Sequence, residues 1–171
     1  MRAVREGWVV DTDGLSAEER ARTVREVLDL FRSDVAEVEL DVVAPGARPP
    51  GFAEAASLLC RRGSGPVEVP AYWTFHRAPV DDEVWAAVLT VVPSSFDADF
   101  YEPEAGVPIV SLADEATSFV VRATGPRLAE VEVLVGTDRL VSLGEWHARR
   151  RASRHDVRRR RSRREVGAPP S

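Results

Sequence analysis

The hydrophobic period of the chain changes partway along it, and this limits the fold more than any single motif. In "SAEERARTVREVLDLF", Ala17, Ala21, Val24, Leu28 and Phe31 recur at alternating steps of four and three, while Glu18, Arg22, Arg25 and Asp29 fall on the other side. That spacing is one apolar stripe on a helix. Ser16 and Glu19 stand at the separation of a capping box, which sets the start of the helix, and the stripe runs out near Ser33. From residue 66 onward the period is two. In "PVEVPAYWTF", Val67, Val69, Ala71, Trp73 and Phe75 share one side, and "TSFVVRA" (117–123) and "AEVEVLV" (129–135) alternate in the same way.

Between these segments the reading is equally local. "GWVV" reads as a strand leading into the first helix. "AEVELDV" (36–42) alternates strictly, with Val38, Leu40 and Val42 on one face and Glu37, Glu39 and Asp41 on the other, the pattern of a half-buried strand. "FAEAASLLCRRG" reads as a short helix entered through Pro50 and stopped by Gly63, with Phe52, Ala56 and Leu59 toward the core. "VWAAVLTVV" (84–92) fits a buried strand or a helix of a few turns, and "VPIVSL" fits a strand. Short links such as "ADEA" and "GTD" favour hairpins over helical crossovers. The expectation is an α+β fold: a single domain with a mostly antiparallel β-sheet and two helices in the N-terminal half. No internal repeat is visible in the sequence.

The charge is divided sharply. Residues 147–171 hold ten Arg against Asp156 and Glu165, whereas residues 1–146 hold 13 Arg against 26 acids, giving +8 and −13 within a chain of net charge −5. This points to an acidic domain (1–146) followed by a flexible, Arg-rich C-terminal arm (147–171), disordered or partly helical, with Trp146 as its anchor. Because the chain contains no Lys, Arg is simply the cation it uses, and the position of the charges carries more information than their type. A single cysteine, Cys60, leaves no intramolecular disulfide, and no apolar run approaches the ~20 residues of a membrane helix. The reading is a cytoplasmic protein without membrane insertion.

Residues 8–16, "WVVDTDGLS", resemble motif I of the haloacid dehalogenase-like phosphatases, an apolar strand ending in Asp-x-Asp-Gly. The resemblance implies a parallel sheet and Mg²⁺-dependent phosphoryl transfer, with Asp11 as nucleophile and Asp13 as general acid/base. Leu15 departs from the Thr or Val of that motif, and there is no Lys to hold a phosphate. Read without the resemblance, the stretch is a strand-to-helix turn made by Asp13 and Gly14 and capped by Ser16.

"SSFDADFYEPE" (94–104) reads as a capped helical turn burying Phe96 and Phe100. Were Phe100 or Tyr101 exposed, it would be an acidic, aromatic docking loop for a basic partner. His76, beside Arg77, reads as a hydrogen-bonded structural histidine, and no paired His or Cys at ligand spacing calls for a metal or other cofactor.

These features point to a non-enzymatic interaction or regulatory protein. Its arm (Arg149, Arg150, Arg151, Arg154, Arg158, Arg159, Arg160, Arg161, Arg163 and Arg164) would engage a nucleic acid or an acidic protein surface. The alternatives are a small Mg²⁺-dependent phosphatase using Asp11 and Asp13, and an acidic, immunity-like inhibitor of a basic partner.

Overall fold

The computed structural model describes residues 6–43, 50–63, 67–69, 72–103 and 105–152. Along the chain they form β1 (Glu6–Val10), α1 (Ala17–Phe31), β2 (Glu37–Val43), α2 (Phe52–Arg62), β3 (Val67–Val69), β4 (Tyr72–Pro79) and α3 (Asp82–Val91). These are followed by β5 (Ser95–Tyr101), β6 (Val110–Ala113), β7 (Ser118–Ala123), α4 (Gly125–Val135) and β8 (Leu140–Ser142). Residues 143–152 are helical. The strands make one eight-stranded sheet in the order β3-β4-β2-β5-β6-β7-β1-β8, and every neighbouring pair is antiparallel. The fold is α+β.

The strand order contains a duplication. β4 and β5 flank β2, both antiparallel to it, and are joined through α3, so β2-α2-β3-β4-α3-β5 is a complete βαββαβ unit with split βαβ crossovers. β7 and β8 flank β1 in the same way and are joined through α4. Thus β1-α1-β6-β7-α4-β8 is a second unit of ferredoxin-like topology, with the whole of the first inserted between α1 and β6. β5 of the inner unit pairs with β6 of the outer one, which makes the two sheets one.

Helices α1–α4 cover one face. Val24, Val27, Leu28 and Phe31 of α1 join Phe52, Ala56 and Leu59 of α2 and Val84, Val88 and Val91 of α3 in a single core. Val38, Leu40, Phe75, Ala98, Phe100, Leu112, Phe119 and Val121 of the strands complete it. The capping box is formed in full, with the Ser16 hydroxyl accepting from the Glu19 amide and the Glu19 carboxylate accepting from the Ser16 amide.

Two local expectations are corrected, and a third segment that fitted either strand or helix is decided. "AEVEVLV" lies in α4, not in a strand: Leu128, Val131 and Val135 sit toward the core at steps of three and four, and Val133 is 88% exposed. The alternation of Val131, Val133 and Val135 shares two residues with that helical stripe, and Pro126 in the first turn favours the helix. "GTD" consequently links a helix to a strand, whereas "ADEA" does close the β6–β7 hairpin. Within "SSFDADFYEPE", "SFDADFY" forms β5, not a helical turn, because its residues complete the ladder with both β2 and β6. "VWAAVLTVV" is helical, capped by the Asp81 carboxylate accepting from the Val84 amide at 2.8 Å.

Candidate acidic face and basic helix

Strict alternation places the polar residues of β2 on the sheet face away from α1–α4, and the β2–β5 register decides what they meet there. Glu37 lies opposite Tyr101, Glu39 opposite Asp99, and Asp41 opposite Asp97. Two carboxylate pairs therefore stand side by side on adjacent strands, although like charges directly opposite one another destabilise a sheet. Glu39, Asp41, Asp97 and Asp99 line a shallow cleft, with Leu40 and Ala98 between them along the strands. The Asp97 carboxyl is held above its ordinary pKa, first by partial desolvation, then by the negative charges of Asp99, Asp41 and Glu39.

One corner of the face is neutralised from β4. The Arg77 guanidinium lies 4.0 Å from the centre of the Tyr101 ring and reaches Glu37 Oε2 at 3.3 Å. His76 Nδ1 is 3.6 Å from Glu39 Oε1. The Tyr101 hydroxyl donates within a carboxylate pair, 3.4 Å from Asp99 Oδ2 and 3.5 Å from Glu39 Oε2. Desolvation and the charges of Asp99 and Glu39 raise its pKa, with Arg77 opposing them.

The duplicated topology gives this face an internal comparison. β1 holds in the outer unit the central place that β2 holds in the inner one, but its residues on this side are Gly7 and Val9. The acidity belongs to the inner unit.

Phe100 and Tyr101 do not form an exposed docking loop. Phe100 is fully buried and meets Trp85 edge-on at 6.1 Å, and Tyr101 is 7% exposed. The exposed ring is Phe96, at 51%, because a register shift opposite Asp41 and Val42 makes it the extra residue of a bulge.

Of the arm, Arg149, Arg150 and Arg151 are described and exposed; Arg154, Arg158, Arg159, Arg160, Arg161, Arg163 and Arg164 lie outside the described residues. Helix 143–152 starts directly after β8 and runs through position 146 without a break. Its first residue rests on the sheet, since a Cβ added to Gly7 would come within 3.0 Å of Leu143 Cδ2. Trp146, His147, Arg150 and Arg151 line one side of this helix. The Arg150 guanidinium stacks 4.4 Å from the Trp146 ring centre.

At the "DTDG" stretch, β1 is flanked by β7 and β8, both antiparallel, so the parallel sheet that the resemblance implies is not the sheet found here. The Asp11 carboxylate accepts from the Asp13 amide at 3.0 Å, and Arg139 donates to the Asp11 and Asp13 carbonyls, as in a braced turn. The buried Thr12 hydroxyl donates to the Ala116 carbonyl at 2.8 Å. Among the described residues no group of three or more His, Cys, Asp or Glu is placed to hold a metal ion, and no helix is long and apolar enough to cross a membrane.

Sequence reading found the acids of β2 but not their partners on β5, because a cross-strand register is a non-local fact. Comparisons of the chain with protein-family models, with curated proteins and with solved structures return no match.

Proposed function

We propose that the protein is a non-enzymatic interaction or regulatory module whose arginine-rich C-terminal arm, beginning on helix 143–152, engages a nucleic acid through its phosphates. The observation that carries this reading is the placement of Trp146, His147, Arg150 and Arg151 on one side of an exposed helix, with Arg150 stacked on Trp146. An aromatic face beside guanidinium groups suits both base stacking and phosphate contact. The remaining arginines of the arm would add charge without a base code, so binding should be indifferent to sequence.

The test is binding of short single-stranded oligonucleotides of unrelated sequence to the full chain and to the Arg149→Ala/Arg150→Ala/Arg151→Ala variant. Similar affinities for all sequences, weakened together in the variant, support the reading. Absence of binding at low salt contradicts it and leaves an acidic protein surface as the arm's target.

A second reading is favoured by the paired carboxylates of β2 and β5: the acidic face itself docks a basic segment, as an inhibitor that masks a basic partner would. Affinity purification with nuclease treatment distinguishes the two, since a basic protein partner survives nuclease and a nucleic acid does not.

A further inference from the structure

We infer that the acidic sheet face of the inner unit is a docking surface, and that its occupant is the arginine-rich segment 153–171 of the same chain. The inference goes beyond the proposed function and does not require it, because the face and a polyanion would compete for the same arginines.

The face is a surface for arginine by its own example. Glu37, Glu39, Asp41, Asp97 and Asp99 lie on two adjacent strands, and Arg77 and His76 of β4 meet Glu37 and Glu39 at one corner. Arg77 shows how a guanidinium is received there, its plane over the Tyr101 ring and its nitrogen on the Glu37 carboxylate. The cleft between Glu39, Asp41, Asp97 and Asp99 continues from that corner and presents carboxylates in cross-strand pairs. Such pairs suit the two-pronged guanidinium donor better than a point charge.

Spacing and reach agree with this occupant. Glu37, Glu39 and Asp41 repeat every second residue along β2, about 7 Å apart. A segment laid extended along the strands repeats its own side chains at that period, as Arg159, Arg161 and Arg163 would. β8, where helix 143–152 begins, lies five strand spacings from β2, or roughly 24 Å. That helix is about 15 Å long. Even if it pointed directly away from the face, the 19 residues of 153–171 can span about 60 Å when extended. Those residues hold seven Arg against Asp156 and Glu165. The tether keeps the segment at high effective concentration near the face, which favours the same chain over a second copy.

The test is paramagnetic broadening in the full chain. A nitroxide is attached at Val157→Cys in a Cys60→Ser background, and the ¹⁵N amide spectrum is read as the screening length falls from about 30 Å at 0.01 M salt to about 3 Å at 1 M. The inference predicts loss of amide intensity along β2 and β5 at low salt and its recovery at high salt. It also predicts no loss at low salt when Glu39→Gln, Asp41→Asn, Asp97→Asn and Asp99→Asn are combined. Because those substitutions remove repulsion between strands, the amide spectrum of the body should remain folded. A second variant, Arg158→Ala/Arg159→Ala/Arg160→Ala/Arg161→Ala, leaves the body untouched and should abolish the loss equally. Absence of broadening at low salt, or broadening that persists in either variant, overturns the inference. Broadening of unlabelled ¹⁵N chains mixed with labelled ¹⁴N chains, to the extent that dilution of the label allows, assigns the face to a second copy and overturns it as stated.

Discussion

Asp97 lies directly across the β2–β5 ladder from Asp41, one pair along from the equally acidic Glu39 and Asp99. A sheet assembled for stability alone would place opposite or neutral partners at these positions, and the repulsion raises the pKa of Asp97 in addition to the desolvation that dominates the shift. With the folded pKa above the ordinary value of 3.8, the folded chain binds more protons than the unfolded one in that interval. Stability from this group is therefore complete below 3.8 and falls as pH rises through the folded pKa. Asp97→Asn should stabilise the protein at neutral pH by about 0.5 kcal/mol, a solvent-screened figure, and lose that advantage in acid. Thermal unfolding of both proteins across the acid range checks the sign.

The capping box makes the opposite pH prediction. The Glu19 carboxylate is held below its ordinary pKa by the Ser16 amide and then by the Ser16 hydroxyl, so its contribution is present at neutral pH and lost as pH falls through the lowered pKa. Ser16→Ala should cost about 1 kcal/mol in denaturant unfolding at neutral pH.

Asp114, Glu115 and Ala116 adopt φ of 53°, 55° and 62°, three consecutive non-glycine residues in the left-handed region. The turn is held by the Asp114 amide donating to the Phe96 carbonyl, the Glu115 amide to that of Ser95, and Thr12 to that of Ala116. A left-handed residue with a Cβ costs about 1–2 kcal/mol, and glycine returns part of that in chain entropy. Glu115 is exposed. Glu115→Gly should therefore stabilise the protein by up to about 1 kcal/mol, measured as a rise in denaturation midpoint with an unchanged slope.

Phe100 and Phe96, four residues apart, separate cleanly in cost. Phe100→Ala should destabilise by roughly 3–5 kcal/mol through the cavity left beside Trp85, whereas Phe96→Ala should stay within about 0.5 kcal/mol. Equal effects in equilibrium unfolding would contradict the bulge that turns Phe96 outward.

These residues also show what local sequence reveals. The Ser16–Glu19 cap, the stripe of α1 and the acidic side of β2 were legible because each is set within a few residues. Of the two phenylalanines of β5, both expected to be buried, Phe100 is and Phe96 is not, because a bulge fixed by pairing with β2 turns Phe96 outward. Val131 and Val135 fit both a strand and a helix, and the core beneath α4 decided between them. The nesting of one βαββαβ unit in another left no sequence repeat to find, since equivalent strands such as β1 and β2 share alternation but carry Gly7 and Val9 in one and Glu37, Glu39 and Asp41 in the other. The pairing of four carboxylates was hidden for the same reason.

The most direct test of the arm as a phosphate-binding element is the salt dependence of oligonucleotide affinity for the full chain. The logarithm of affinity should fall linearly with the logarithm of salt concentration, by about 0.7 per phosphate neutralised on a single strand. The slope magnitude should lie below about 7 for the arm's ten arginines, and lower still if the arm also pairs with its own acidic face. Replacing Arg158, Arg159, Arg160 and Arg161 by Ala should reduce the slope by up to about 3 with the fold intact. A slope unchanged by those four substitutions, or affinity that ignores salt altogether, would contradict the account.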